Sequence, residues 1–282
     1  MLIDFHTHAF PDALASHTMD KLSAISGYTP TNNGTTSGLM QLMAANGVKM
    51  HVIMHIAVKT GQHKKVNEFA ASAVSGVAKC FGSVHPNDEG IDAIIGSFRQ
   101  MGLSGVKLHP DYQEFFADSL EAMKLYEKIE QAGLPVLFHA GVDPLSPNMV
   151  HCTPKMLATI SSKFPKLAVI GAHMGGMLCF DDVERYLVGL PNVYFDTSMA
   201  AAVMPPEQFE RIVKNHGPGK ILFGSDAPWG ARPEVEAAYI KSLGLGQQAL
   251  DMIFYQNALR VLNIQETELS KNATLFKRGD RA

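Results

Sequence analysis

His6 and His8, in the run IDFHTH, stand two positions apart on a stretch whose apolar neighbours read as a short strand. Residues two apart in a strand point to the same side, so the two imidazoles converge if either faces the interior. Such a pair alone says little, because a histidine on a strand is commonly a core or surface residue. Three more candidate ligands occupy the same structural position, each closing an apolar run: His139 in LFHAG, His173 in IGAHMGG and Asp226 in ILFGSDAPW. Several buried imidazoles with few carboxylates near them in sequence are costly unless they share a task, and the task this set fits is holding a divalent metal. Lys107 and His109, in GVKLHPDYQ, share one face of another strand and should point at the same place.

The elements that must position these groups alternate. Short runs rich in Val, Ile, Leu and Phe are separated by longer stretches of helical period, the pattern of a parallel sheet built from βα units. Strands are expected at 2–6, 49–57, 79–84, 104–109, 135–139, 167–172, 193–197 and 220–224. Leu120, Met123, Tyr126 and Ile129 fall on one helical face that Gly133 should end. Thr153 before Pro154 marks a helix start, and Asp181 with Glu184 has the spacing of a capping box. Eight such units in 282 residues predict an α/β fold of the (β/α)8 TIM-barrel type, a single domain over residues 1–282. An open doubly wound sheet is the runner-up, weakened as a dinucleotide binder because no GxGxxG follows the first strand. The polar stretch 27–38 (GYTPTNNGTTSG) lies on the face where barrel enzymes keep their sites, so it reads either as a small lid or as an ordinary exposed loop.

With 46% hydrophobic residues the chain can bury a large core, and a net charge of −3 offers no basic field for a phosphate backbone. Nucleic acid is therefore not an expected partner. No apolar run approaches the ~20 residues that span a bilayer, and the first histidine pair starts too early for a leader to precede it, so a cytoplasmic protein with no membrane contact is expected. Cys80, Cys152 and Cys179 are odd in number and widely spaced, which suggests neither disulfides nor a thiolate site.

The motifs IDFHTH, LFHAG, GAHMGG and FGSDAPW, with NALRVLN near the end, resemble those of the amidohydrolase superfamily over nearly the whole chain. The closer resemblance is to the amidohydrolase-related subgroup that includes aminocarboxymuconate semialdehyde decarboxylase. It implies His6, His8, His139 and Asp226 as metal ligands, with His173 as an acid/base group and Asp226 also shuttling a proton. Three imidazoles and a carboxylate suit zinc, with Mn, Fe or Co open, and one ion is favoured over two. Lys107 keeps three readings: a cation for the substrate, a carboxylated bridge between two metals as the KLYP motif of dihydroorotases implies, or a structural partner of a carboxylate such as Asp4. His109 and Arg232 are further candidates for contact with a probably carboxylated small-molecule substrate, the guanidinium being suited to bidentate recognition. His55, His85, Asp111, Gln113, His151 and Trp229 also fall near strand ends, and Asp196 resembles a family position that orients its neighbours. The leading expectation is hydrolysis of an amide, lactone or ester by metal-activated water. The alternative is metal-dependent decarboxylation or hydration of a small unsaturated acid, followed by a non-catalytic metal protein and a nuclease. A homodimer is left open.

Overall fold

A computed structural model of the chain describes residues 1–230 and 232–267, so the part of the single-domain expectation that covers 268–282 lies outside the described residues. Each expected window holds a strand: β1 (Ile3–Thr7), β2 (Met50–Met54), β3 (Ala78–Gly82), β4 (Gly105–Leu108), β5 (Val136–Phe138), β6 (Val169–Gly171), β7 (Val193–Asp196) and β8 (Ile221–Leu222). They pair in chain order and in parallel. The open-sheet alternative fails at the last seam, where Phe5 N–H donates to the Phe223 carbonyl at 2.7 Å, Asp226 N–H to His6 at 2.8 Å and His8 N–H to Ala227 at 2.7 Å. These bonds close the barrel and set the segment after β8 directly beside the histidine pair.

Alternation along the strands divides the core in two. Val106, Leu108, Val136 and Phe138 belong to the layer between strands and helices, while Phe5, Val52, Phe81, Leu137 and Ile170 fill the barrel. On β1 the alternation breaks. Asp4 pairs with His51 and Thr7 with Ile53, three residues against two, which is a β-bulge. The extra residue lets Phe5 plug the barrel against Phe81, ring centroids 5.6 Å apart, while His6 still reaches the site above it.

Two of the three helix-end signals hold. Thr153 Oγ1 caps its helix by accepting from Met156 N–H at 3.2 Å, and Gly133 ends the helix Leu120–Ala132 in the left-handed region at φ +64°. Met123, Tyr126 and Ile129 are buried as expected, but Leu120, the first residue of the helix, is 75% exposed. The capping box at Asp181 does not form: the helix Phe180–Tyr186 is preceded by Cys179 without a side-chain cap, and Glu184 instead pairs with Arg211 at 2.6 Å. Stretch 27–38 is tied down rather than free, with Thr31 N–H bonded to the Pro228 carbonyl at 2.9 Å and Thr35 capping the helix Thr36–Ala45. No helix among the described residues is long and apolar enough to cross a membrane.

Glu236, on the helix Pro233–Ser242, is fully buried. Its Oε2 accepts from Ala201 N–H at 3.1 Å and its Oε1 has no partner. Burial pushes the carboxyl up to about 8. The folded chain thus keeps a proton that the unfolded chain releases near its ordinary value, and stability is lost as pH rises toward the folded value. Glu236→Gln removes that linkage. Thermal melts should show the variant gaining on the parent by at most about 4 kcal/mol between pH 5 and pH 8. A difference in Tm that stays constant across that range would show that Glu236 is ionised in the folded protein.

Candidate metal centre

At the C-terminal end of the barrel, His6 Nε2 and His8 Nε2 lie 3.2 Å apart, and Asp226 Oδ1 is 3.3 Å from the first and 3.2 Å from the second. The outer nitrogens fix the tautomers. His6 Nδ1 faces Asp196 Oδ2 at 2.8 Å and His8 Nδ1 faces the Met54 carbonyl at 3.0 Å, so each donates there and turns a lone pair toward Asp226. Three acceptors therefore face one another. The nearest donor is Lys107, whose Nζ is 3.4 Å from His6 Nε2. Donor atoms around a tetrahedral zinc ion, with bonds of about 2.0–2.1 Å, sit about 3.3 Å apart, so this set fits a divalent cation of that size. Burial and the neighbouring Lys107 lower His6 to about 4, which keeps its lone pair available. Burial alone would raise the Asp226 carboxyl, but the imidazoles around it outweigh that and hold it below the usual carboxylate range.

His139 is gathered differently. Its ring stacks on His109 with centroids 4.1 Å apart and planes at 4°, and Asp143 Oδ2 is 3.5 Å from His139 Nε2 and 3.6 Å from His109 Nε2. His109, His139 and Asp143 thus form a second set of potential ligands beside His6, His8 and Asp226. The expected four-residue set is divided between the two. A hydrogen-bond chain links them: Ser198 Oγ donates to Asp196 Oδ1 and lies 2.9 Å from His173 Nδ1, and His173 Nε2 lies 3.1 Å from His139 Nδ1. With the serine proton spent on Asp196, His173 donates to Ser198 and accepts from His139. That leaves His139 Nε2 as a buried lone pair without a partner. Burial is the main cause holding both His139 and His173 below the ordinary imidazole range.

Backbone geometry serves the same end. Asp226 at φ +65°, His173 at +55° and Met199 at +66° sit in a region non-glycine residues avoid, at a cost of about 1 kcal/mol or more each. Gly141, at φ +87°, lies so close to Met177 that a Cβ would come within 2.2 Å of its backbone nitrogen. Only glycine lets these two loops join, and the junction brings Asp143 to face His109.

Lys107 is buried in the cavity floor and makes no ion pair among the described residues. Burial lowers it to about 8, against the pull of Asp196 and Asp226. The Asp4 pairing is not formed, because the Asp4 carboxylate is engaged by Ser225 Oγ at 2.6 Å and Ser225 N–H at 3.0 Å. Arg232 is not brought to the site: it lies at an exposed helix start outside the cavity lining, and its Nε pairs with Glu234 at 2.8 Å. His55 and Trp229 line the cavity. Gln113 bonds the Ala57 and Val84 carbonyls, His85 the Gln113 carbonyl, and Asp111 joins His151 at 2.8 Å, so these serve the loops. Cys152 is buried, and burial keeps its thiol protonated. Asp143 and Ser198 escaped the sequence reading. The only sign of either was position, four residues after His139 and two after Asp196.

No curated protein sequence matches the chain. Among solved structures, an uncharacterised TIM-barrel protein from Bordetella bronchiseptica superposes with a TM-score of 0.71 at 17% identity, covering 95% of this chain and 99% of that one. 5-Carboxyvanillate decarboxylase from Sphingomonas paucimobilis gives 0.67 at 16% identity over 94% and 99%. A probable 2-pyrone-4,6-dicarboxylic acid hydrolase from Acinetobacter baumannii gives 0.69 at 16% identity over 93% and 99%. At these identities the likeness is one of fold. The amidohydrolase family model matches residues 3–264, and the chain with its strand-end histidines and aspartate belongs to that family.

Proposed function

We propose that the chain is a metal-dependent hydrolase that cleaves an amide, lactone or ester bond of a small molecule, a reading carried by the three facing acceptors of His6, His8 and Asp226. These three hold the ion, zinc being the first choice for imidazole and carboxylate donors, and we assign the Nε2 of His139, which has no hydrogen-bond partner, as the fourth donor. When bound, such an ion polarises a carbonyl and makes water acidic enough to attack near neutral pH. Asp226 is kept ionised, so its carboxylate can take a proton from the attacking water. His173, on the cavity wall and held at Nδ1 by its bond to Ser198, exchanges the His139 bond at Nε2 for the proton that Asp226 collects from water, and passes that proton to the leaving group. Asp196 acts at one remove by orienting His6 and bonding the His173 backbone at 3.1 Å. Lys107 and His109 orient the substrate from the floor, with the His109 ring clamped between Tyr112 and His139.

One observation favours a second reading, non-oxidative decarboxylation. Lys107 is a buried amine without a carboxylate partner, a ready seat for a substrate carboxylate. One of the similar folds is a decarboxylase. Release of carbon dioxide, with a proton taking its place on the substrate carbon, rather than addition of water across an amide, lactone or ester bond, separates the two.

Two measurements test the assignments. Zinc affinity by chelator competition should fall about 10–100-fold in Asp196→Asn, because the amide no longer fixes His6 as a ligand. Unchanged affinity would place the ion elsewhere. Among lactones, esters and amides turned over by the zinc-loaded protein, His173→Ala should lower kcat about 10²–10⁴-fold with metal content unchanged. Full activity in that variant would remove His173 from proton transfer.

A further inference from the structure

Above the polar floor the cavity changes character. It encloses about 690 Å³, the range of drug-sized ligands rather than of a compact diacid. Its outer wall is the helix α1 (Asp12–Ser26) with the loops after β2, β5 and β6. Among the described residues eleven large apolar side chains are exposed, and six of them, Leu14, Ile25, Tyr28, Val58, Leu145 and Leu178, line this one cavity. Leu14 is 55% exposed and Leu178 60%, a cost in water that nothing in the fold requires. Scattered apolar residues on a surface need no account, but a ring of them around the mouth of a site does. Lys21 and Lys65, which also line the cavity, make no ion pair among the described residues, so the approach to the cavity is positively charged.

We infer that the substrate carries an extended apolar body, an alkyl chain or fused ring system, seated between α1 and the loop after β6, with its reacting group at the histidine end. The inference rests on the hydrolase reading for the chemistry at the floor, but not for the apolar seat. A compact acid would reach Lys107 and leave the rim in water. An extended one covers the rim and gains for each methylene buried.

Trp229 is the chain's one tryptophan and lines the cavity, so its fluorescence reports occupancy without turnover. Titrating the zinc-loaded full chain with butyrate, hexanoate, octanoate and decanoate should show affinity rising steadily, decanoate binding at least about tenfold more tightly than butyrate. Leu14→Asn with Leu178→Asn, both at exposed positions and neutral, should remove that preference and leave butyrate affinity within about twofold. Equal affinity along the series would overturn the inference, as would a preference that survives the double variant. A concentration-dependent dimer in sedimentation that excludes decanoate would also overturn it, by making the rim an interface between copies. A graded preference without hydrolysis of the matching decanoyl ester would support the apolar seat and count against the hydrolase reading.

Discussion

The lone pairs of His6 and His8 and the carboxylate of Asp226 are held within 3.3 Å of one another in a buried site. In water such a group would relax apart, since nothing among the three attracts. At the low dielectric of a barrel mouth the repulsion is stronger, and a positive charge placed among them is worth correspondingly more. Lys107, close to His6, supplies part of it, yet its own burial weakens its hold on a proton. The metal is thus the partner that makes the rest of the constellation affordable.

What keeps the acceptors facing is chiefly backbone. The seam between β1 and β8 fixes Asp226 against His6 through main-chain hydrogen bonds, and the left-handed conformation at Asp226 turns its side chain back over the barrel. The β1 bulge separates two demands that strict alternation would set against each other, a phenylalanine plug below and two inward histidines above. Asp196 then holds His6 with one oxygen and the His173 backbone with the other, coupling the proposed metal ligand and the proposed acid/base group through one carboxylate. Energy spent on strained backbone and buried charge is offset by the apolar layers on both faces of the strands.

Much of this was legible before any coordinates. Strand windows showed as short branched and aromatic runs, and the strand-end position of His6, His8, His139, His173 and Asp226 showed because parallel barrels place their chemistry there. Less legible were features set by tertiary approach. Period-two reasoning put Asp4 on the face of His6, but the bulge and Ser225 decide where its oxygens go. Arg232 stood six residues from Asp226, a distance over which a new helix begins and carries it outward. Asp143 and Ser198 lie in loops whose course depends on the Gly141 junction and on Asp196, information that no local pattern contains. The segment read as either a lid or an exposed loop, 27–38, bonds through Thr31 to the loop after β8, while α1 before it lines the cavity.

The contrast between floor and wall has a chemical consequence. Under the proposed chemistry, apolar side chains around the mouth lower the dielectric in which Asp226, His173 and a substrate carbonyl would interact, provided something covers them. With the cavity open to solvent, water screens those charges and competes for the same donors. A ligand that covers Leu14 and Leu178 would exclude that water from the whole chain running from Asp196 through Ser198 and His173 to His139. The apolar part of the substrate, remote from the bond being broken, would then strengthen the electrostatics at that bond, so that binding energy gained at the rim is expressed at the floor.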